Sequence, residues 1–169
     1  MPVSDQGASN QRYQLIPRTL IFLTSGDKIL LLKGAPDKKI WAQRYNGIGG
    51  HIEQGEDIYS AAQRELEEES GLAQINLDLC GIVTIDTGAR PGICLFIFRA
   101  ETPLHQSLQS PEGELHWVSI ADLHNLPLVE DLPTIIPRVL KHKKGKLPFF
   151  AKYSYNKDDQ LAIQFAETN

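Results

Sequence analysis

Sulfur is scarce in this chain: 169 residues contain two cysteines, Cys80 and Cys94. They make no CxxC pair and no zinc-type spacing, which leaves no basis for a thiolate metal centre. Two reduced thiols in a reducing compartment are expected, with a Cys80–Cys94 disulfide as the alternative. Long apolar runs are missing as well. None approaches the ~20 residues needed to span a bilayer, and Met1 to Arg12 lack the apolar core of a secretory signal. A cytoplasmic location away from membranes is expected. Positive charge is in deficit, with 17 Lys and Arg against 21 Asp and Glu, a net charge of −4. A surface built to hold nucleic acid would show the opposite balance, so no stable nucleic-acid complex is expected. No internal repeat and no interdomain linker is visible.

What is present suits one domain. Residues 1–12 are small and polar and are expected to be a disordered tail; residues 13–169 are expected to form a single domain. Leu15 to Thr24 and Lys28 to Lys33 read as strands joined by the tight turn Ser25-Gly26-Asp27, a hairpin pattern. Residues 34–44 form a loop, followed by Tyr45-Asn46-Gly47-Ile48-Gly49-Gly50, too rich in glycine for a helix interior. Asp57 to Ser70 is the clearest helix, with Ile58, Ala61, Ala62 and Leu66 at helical spacing, acids in its first turn and Gly71 just past its end. Ile75 to Asp86, Ile93 to Ala100 and Glu114 to Ser119 read as strands, and Ala121 to Asn125 as a helical turn. Pro127 to Lys141 reads as a second helix. Phe149 to Tyr155 and Leu161 to Phe165 complete a late hairpin. Strands mixed with two helices predict an α/β fold, an α/β/α sandwich with a mixed β-sheet.

The negative charge is concentrated. Residues 51–72 hold seven acids and a single base, Arg64, so this segment is −6 and the remainder about +2. At ~100° per residue, Glu65, Glu68 and Glu69 share one face of the helix, while Glu67 lies opposite. Ile58, Ala61 and Leu72 lie near the same face, which therefore points inward. Three carboxylates gathered there repel one another unless protonated or bridged by cations. Oxygen-only ligands at this density suit Mg²⁺ or Mn²⁺, ions that combine a few carboxylates with substrate phosphates and water. The glycines before the helix add carbonyls and permit close approach of a ligand. Arg64, one turn before Glu68, can hold a carboxylate in one orientation. An ordinary solvated acidic face would alternate with Lys and Arg partners; this one does not.

Gly50, Glu56 and the run Arg64-Glu65-Leu66-Glu67-Glu68-Glu69-Ser70-Gly71-Leu72 together resemble the Nudix box, GX5EX7REUXEEXGU, with every fixed position filled. The resemblance implies a Nudix-type sandwich and hydrolysis of a nucleoside diphosphate linked to a further group X, using Mg²⁺ or Mn²⁺. It implies that Glu68 and Glu69 are metal ligands and Glu65 a further ligand or the base that activates water. The carbonyl of Gly50 or of Gly49 completes the coordination, and Glu56 and Arg64 support the loop and the acids. The base is either Glu65 or a later loop acid, here Glu112 or Glu114, whose other reading is an ordinary loop or strand-edge acid.

Within the family, Tyr45-Asn46-Gly47-Ile48-Gly49-Gly50 resembles the corresponding stretch of MutT-like enzymes, where the Asn contacts the base; otherwise Asn46 holds a turn. Glu130 and Asp131 fall near the place where those enzymes keep two base-reading acids, and helix capping explains them equally well. The expectation is a nucleoside triphosphate diphosphatase acting on a small nucleotide, such as an oxidised purine deoxynucleotide (8-oxo-dGTP), as a monomer or homodimer. The alternatives are hydrolysis of ADP-ribose, another nucleotide sugar or a capped RNA 5′ end, or a Nudix module that binds nucleotide without cleaving it.

Overall fold

The computed structural model describes residues 2–7, 11–103, 109–110 and 112–167. Nine strands form a mixed sheet: β1 (Leu15–Ser25), β2 (Lys28–Gly34), β3 (Tyr45–Asn46), β4 (Leu77–Ile85), β5 (Gly92–Glu101), β6 (Gln109–Ser110), β7 (Gly113–Ser119), β8 (Phe149–Tyr155) and β9 (Leu161–Phe165). Their order is β6-β7-β2-β1-β5-β4-β8-β9, with β3 on β2. The pairs β1·β5 and β4·β8 are parallel and the others antiparallel. Helix α1 (Ile58–Ser70) covers one face and α2 (Leu132–Lys141) the other. The mixed sandwich expected from the sequence is the one observed.

Strand β1 explains why its apolar run is continuous. Leu20 and Phe22 enter the core beneath α2, while Ile21 and Leu23 enter the core beneath α1. A central strand buried on both faces has no polar side to show. Beneath α1 the core is closed by Ala62, Leu66, Leu72 and Phe98.

Helix α1 begins at its cap. The Asp57 carboxylate accepts from the Tyr59 amide at 2.9 Å and the Ser60 amide at 3.0 Å, satisfying two of the free donors of the first turn. Gly71 closes the helix at φ 70°, where its amide donates to the Glu67 carbonyl at 2.7 Å. The first turn itself holds no acid; Asp57 is the cap, one step outside.

One other expectation changes. The second helix begins at Leu132 rather than Pro127, because Leu128 is drawn into a parallel bridge with Tyr45 and the Val129 amide donates to the Tyr45 carbonyl at 3.0 Å. The two-residue strands β3 and β6 are too short to leave a periodic pattern. Within the stretch read as a disordered tail, Val3–Gln6 form one 3-10 turn, ended by Gly7 at φ 63°.

Leu66 is fully buried beneath α1. Leu66→Ala is expected to cost about 2–5 kcal/mol of unfolding free energy. Urea denaturation followed by circular dichroism measures it, and a loss well under this range would mean the helix is not anchored through this side chain.

Candidate active site

The glycine segment is inserted beside β1 where β2 diverges from it. The Thr19 amide donates to the Gly50 carbonyl at 2.9 Å and the Ile21 amide to the Ile48 carbonyl at 2.6 Å, with Arg18 and His51 forming a further bridge. Two glycines are required by space. A Cβ at Gly49, where φ is +149°, would collide with the Thr19 carbonyl, and one at Gly50 would stand 2.5 Å from Glu65 Oε1. Gly50 therefore lies directly against a carboxylate of α1.

One guanidinium organises the acids. Arg64 donates to Glu56 through Nε at 2.7 Å and Nη2 at 3.0 Å, a bidentate pair. Its Nη1 reaches Glu65 at 2.9 Å and Glu68 at 3.1 Å, and Nη2 also reaches the His51 carbonyl at 3.1 Å. The sequence suggested one carboxylate for Arg64; it holds three, plus the end of the glycine segment. This bond to Arg64, then the amide of Glu53, keeps the Glu56 carboxyl down at about 2.

The three box carboxylates are not equivalent. Glu69 is 3% exposed, and neither of its oxygens has a hydrogen-bond partner among the described residues. Burial, followed by the charges of Glu112 and Glu65, pushes its carboxyl up to about 8; the nearby Gly49 amide, which does not complete a hydrogen bond to it, and Lys38 oppose the rise. Glu65 is raised for the same first reason, burial, against the pull of Arg64. Glu68 differs: its side chain is 59% exposed. The inward face predicted for all three thus holds Glu65 and Glu69 only. The wheel placed Glu68 correctly beside Arg64, but the helix sits against the sheet along Ala62, Leu66 and Glu69, which turns Glu68 to the rim.

Of the later acids, Glu112 is the one brought to the site. Strands β6 and β7 make a tight hairpin, and β6 packs against α1. Glu112 influences both Glu65 and Glu69 and forms an ion pair with Lys38 at 2.6 Å. Glu114 instead meets His116 at 3.2 Å and is 76% exposed. Lys38 was not singled out in the sequence, where it is one of several loop lysines.

The expected base-reading residues divide. Asn46 Oδ1 accepts from the Gly47 amide at 2.8 Å, the turn-holding role. Asp131 does not cap α2 with its side chain; Oδ2 accepts from the buried Tyr153 hydroxyl at 3.1 Å. Burial raises the Asp131 carboxyl and, with Asp131 beside it, the Tyr153 phenol. Glu130 is exposed. The bridge between Tyr45 and Leu128 holds the segment leading to Glu130 and Asp131 beside the strand that carries Asn46. Two cavities of about 400 Å³ lie apart from the acids, one lined by Ser25, Arg99 and Thr102, the other by Tyr59, Asp78 and Lys146.

Among the described residues, no three acidic side chains already converge closely enough to enclose a cation. Glu65 and Glu68 are instead both bonded to Arg64 Nη1. The donor set nonetheless fits a hard divalent ion: oxygen ligands only, a buried carboxylate without a partner, and a glycine segment whose backbone lies directly against Glu65.

Comparison with known proteins agrees. The NUDIX domain family model matches residues 15–139. The oxidized purine nucleoside triphosphate hydrolase of Mus musculus is 30% identical over 127 residues, covering 75% of this chain and 80% of that protein. An uncharacterized Nudix hydrolase of Bacillus subtilis (strain 168) is 31% identical over 150 residues, covering 82% and 91%. A MutT protein structure from Bacillus halodurans superimposes with a TM-score of 0.74 at 27% identity, over 89% of this chain and 97% of that one. The NUDIX domain of Shewanella oneidensis NrtR, complexed with ADP ribose, shares the fold at TM-score 0.67 and 18% identity, over 83% and 98%. The chain belongs to the Nudix family. It is a hydrolase of that family, whose enzymes generally use a divalent metal.

Two variants test the brace. Arg64→Lys keeps the charge but loses the fork and is expected to lower kcat about 10- to 100-fold. Glu56→Gln is expected to do part of the same damage, and the double variant less than the product of the two. Because the folded pKa of Glu56 lies below its ordinary value of 4.5, at about 2, its stabilisation is complete above about pH 4.5 and is lost as pH falls toward 2. Melting curves should therefore show Glu56→Gln less stable than the parent at pH 7, with the gap narrowing in acid. A gap independent of pH would mean that the pair with Arg64 is not the stabilising contact.

Proposed function

We propose that this Nudix hydrolase is a nucleoside triphosphate diphosphatase that depends on Mg²⁺ or Mn²⁺ and releases a nucleoside monophosphate and pyrophosphate. An oxidised purine deoxynucleotide such as 8-oxo-dGTP is the leading substrate. The observation that carries the reading is Glu69: a buried carboxylate without a partner, beside Glu65 and the glycine segment. Burying such a group is costly unless a cation or a proton compensates it. The mouse and Bacillus halodurans relatives support the MutT-like assignment.

In this reading Glu65, Glu68, Glu69 and the Gly50 carbonyl would hold the metal, which when bound would supply charge to screen the phosphate oxygens and acidity to a water. The chain supplies the rest. Arg64 keeps Glu65 and Glu68 in their rotamers. Glu112 takes the proton from the attacking water, with Lys38 holding its carboxylate in place. Glu65 is the alternative base, but its bond to Arg64 favours a ligand role. Asp131, fixed by Tyr153, and Asn46 would contact the nucleoside, with Glu130 beside them and the Gly49 backbone meeting the phosphates.

Glu68→Gln and Glu69→Gln are each expected to lower turnover at least ~100-fold, through lost charge stabilisation. Glu112→Gln should lower it far more than Glu114→Gln. A screen of nucleoside triphosphates, nucleotide sugars, dinucleotides and capped RNA with Mg²⁺, read as pyrophosphate or phosphate release, decides the substrate. Pyrophosphate from a nucleoside triphosphate is the expected product. Near-normal turnover in both metal-ligand variants would falsify the assignment, and retained nucleotide binding without hydrolysis would identify a binding module.

A further inference from the structure

Arg18 is an anomaly on β1. Its side chain is half-buried, and its Nε is buried without a hydrogen-bond partner among the described residues. Guanidinium groups are donors only, and a buried N–H left unpaired is unfavourable. Alternation along β1 puts Arg18 on the face of Leu20 and Phe22, the α2 side, whereas Glu65 and Glu69 belong to α1 on the other.

Toward β5, the surroundings of Arg18 on that face are hydrocarbon. Leu95 is its parallel partner, and the next row along the sheet runs Ile16, Ile93, Ile85 to Tyr153, all but Tyr153 only half-buried. Because α2 starts at Leu132, it leaves this strip incompletely covered. The strip spans about 14 Å, three strand spacings, from Arg18 to the Asp131–Tyr153 pair. A flat heteroaromatic ring fits an apolar floor with polar groups at its ends; a phosphate does not. The opposite neighbour of Arg18 is His51, whose carbonyl is held by Arg64. Arg18 is thereby kept in register with the catalytic acids.

We propose that Arg18 reads the nucleobase: its guanidinium fork donates to adjacent acceptors on a purine edge, the 6-carbonyl oxygen and the neighbouring ring nitrogen, while the ring lies on the strip toward Asp131. A fork matches that pair of acceptors, whereas a 6-amino purine offers one acceptor beside a donor. The inference rests on the nucleoside triphosphate reading above and adds a 6-carbonyl purine as the class of base; in an 8-oxo purine the neighbouring ring nitrogen carries a proton, so there the fork keeps the 6-carbonyl as its acceptor.

The test is binding of nucleoside monophosphates to the full chain without metal, by calorimetry, for the parent, Arg18→Met and Arg18→Lys, with melting curves as the check on folding. The parent is expected to bind GMP and IMP, which carry the 6-carbonyl, more tightly than AMP. Arg18→Met should lose about 10- to 100-fold for GMP and little for AMP. Arg18→Lys should not restore the preference, because an ammonium lacks the fork. Equal GMP binding by the parent and Arg18→Met overturns the proposal. So does rescue by Lys for GMP and AMP alike, which would put a phosphate at Arg18. If neither variant folds, the parent still decides: IMP binding like AMP overturns the proposal. A parent that prefers GMP in this way yet releases no pyrophosphate overturns the reaction and leaves Arg18 standing. GTP turnover unchanged in a folded Arg18→Met variant does the reverse.

Discussion

The active site is organised around the guanidinium of Arg64. It bonds Glu56 from the loop, Glu65 and Glu68 from its own helix, and the carbonyl of His51 at the end of the glycine segment. Acids gathered on one short segment repel each other, and one fork with five donors counters three of them at once. It also ties the loop to α1, so the distance between Gly50 and Glu65 is set by the same bonds that orient the acids. The position of Glu69 follows indirectly, since it lies one turn further along a helix already fixed at both ends by Asp57 and Gly71.

Glu69 shows the cost of this arrangement. A carboxylate without a partner inside the protein destabilises the fold, and the neighbouring charges of Glu112 and Glu65 add to the penalty. Strain of this kind gathers where function requires it. The site belongs to a Nudix hydrolase, and the buried acid is in a place where a divalent cation would turn an unfavourable group into a ligand. The net charge of −4 is therefore a poor guide to what the protein binds. The acids form a compact centre rather than a diffuse surface, and the scaffold around them is close to neutral.

Much was legible in the sequence because it depends on local spacing. The apolar runs 20–23 and 29–32 appear as β1 and β2, and the pattern of Ala61, Ala62 and Leu66 with Gly71 appears as α1. Other features were hidden because their causes are remote. Leu128 is extended through pairing with Tyr45, 83 positions away, so α2 starts late. Asp131 is bonded to Tyr153 instead of capping its helix. Glu112 joins the acids, and Glu114 does not, because a short hairpin folds β6 against α1. The outward turn of Glu68 could not be taken from a helical wheel, which ranks residues around an axis but does not say which side the sheet will take.

By itself, the sequence determined the family, the mixed sandwich, the glycine segment and the identity of the box acids, since each resides in residue type at fixed spacing along one segment. Tertiary structure alone decided which carboxylate is buried and which stands at the rim, which loop acid arrives, and that Arg64 serves three acids rather than one. It also left the Nε of Arg18 buried without a partner, on the face opposite the acids. The physical reason is that burial and charge pairing depend on what lies across the sheet, and residues far apart in the chain supply it.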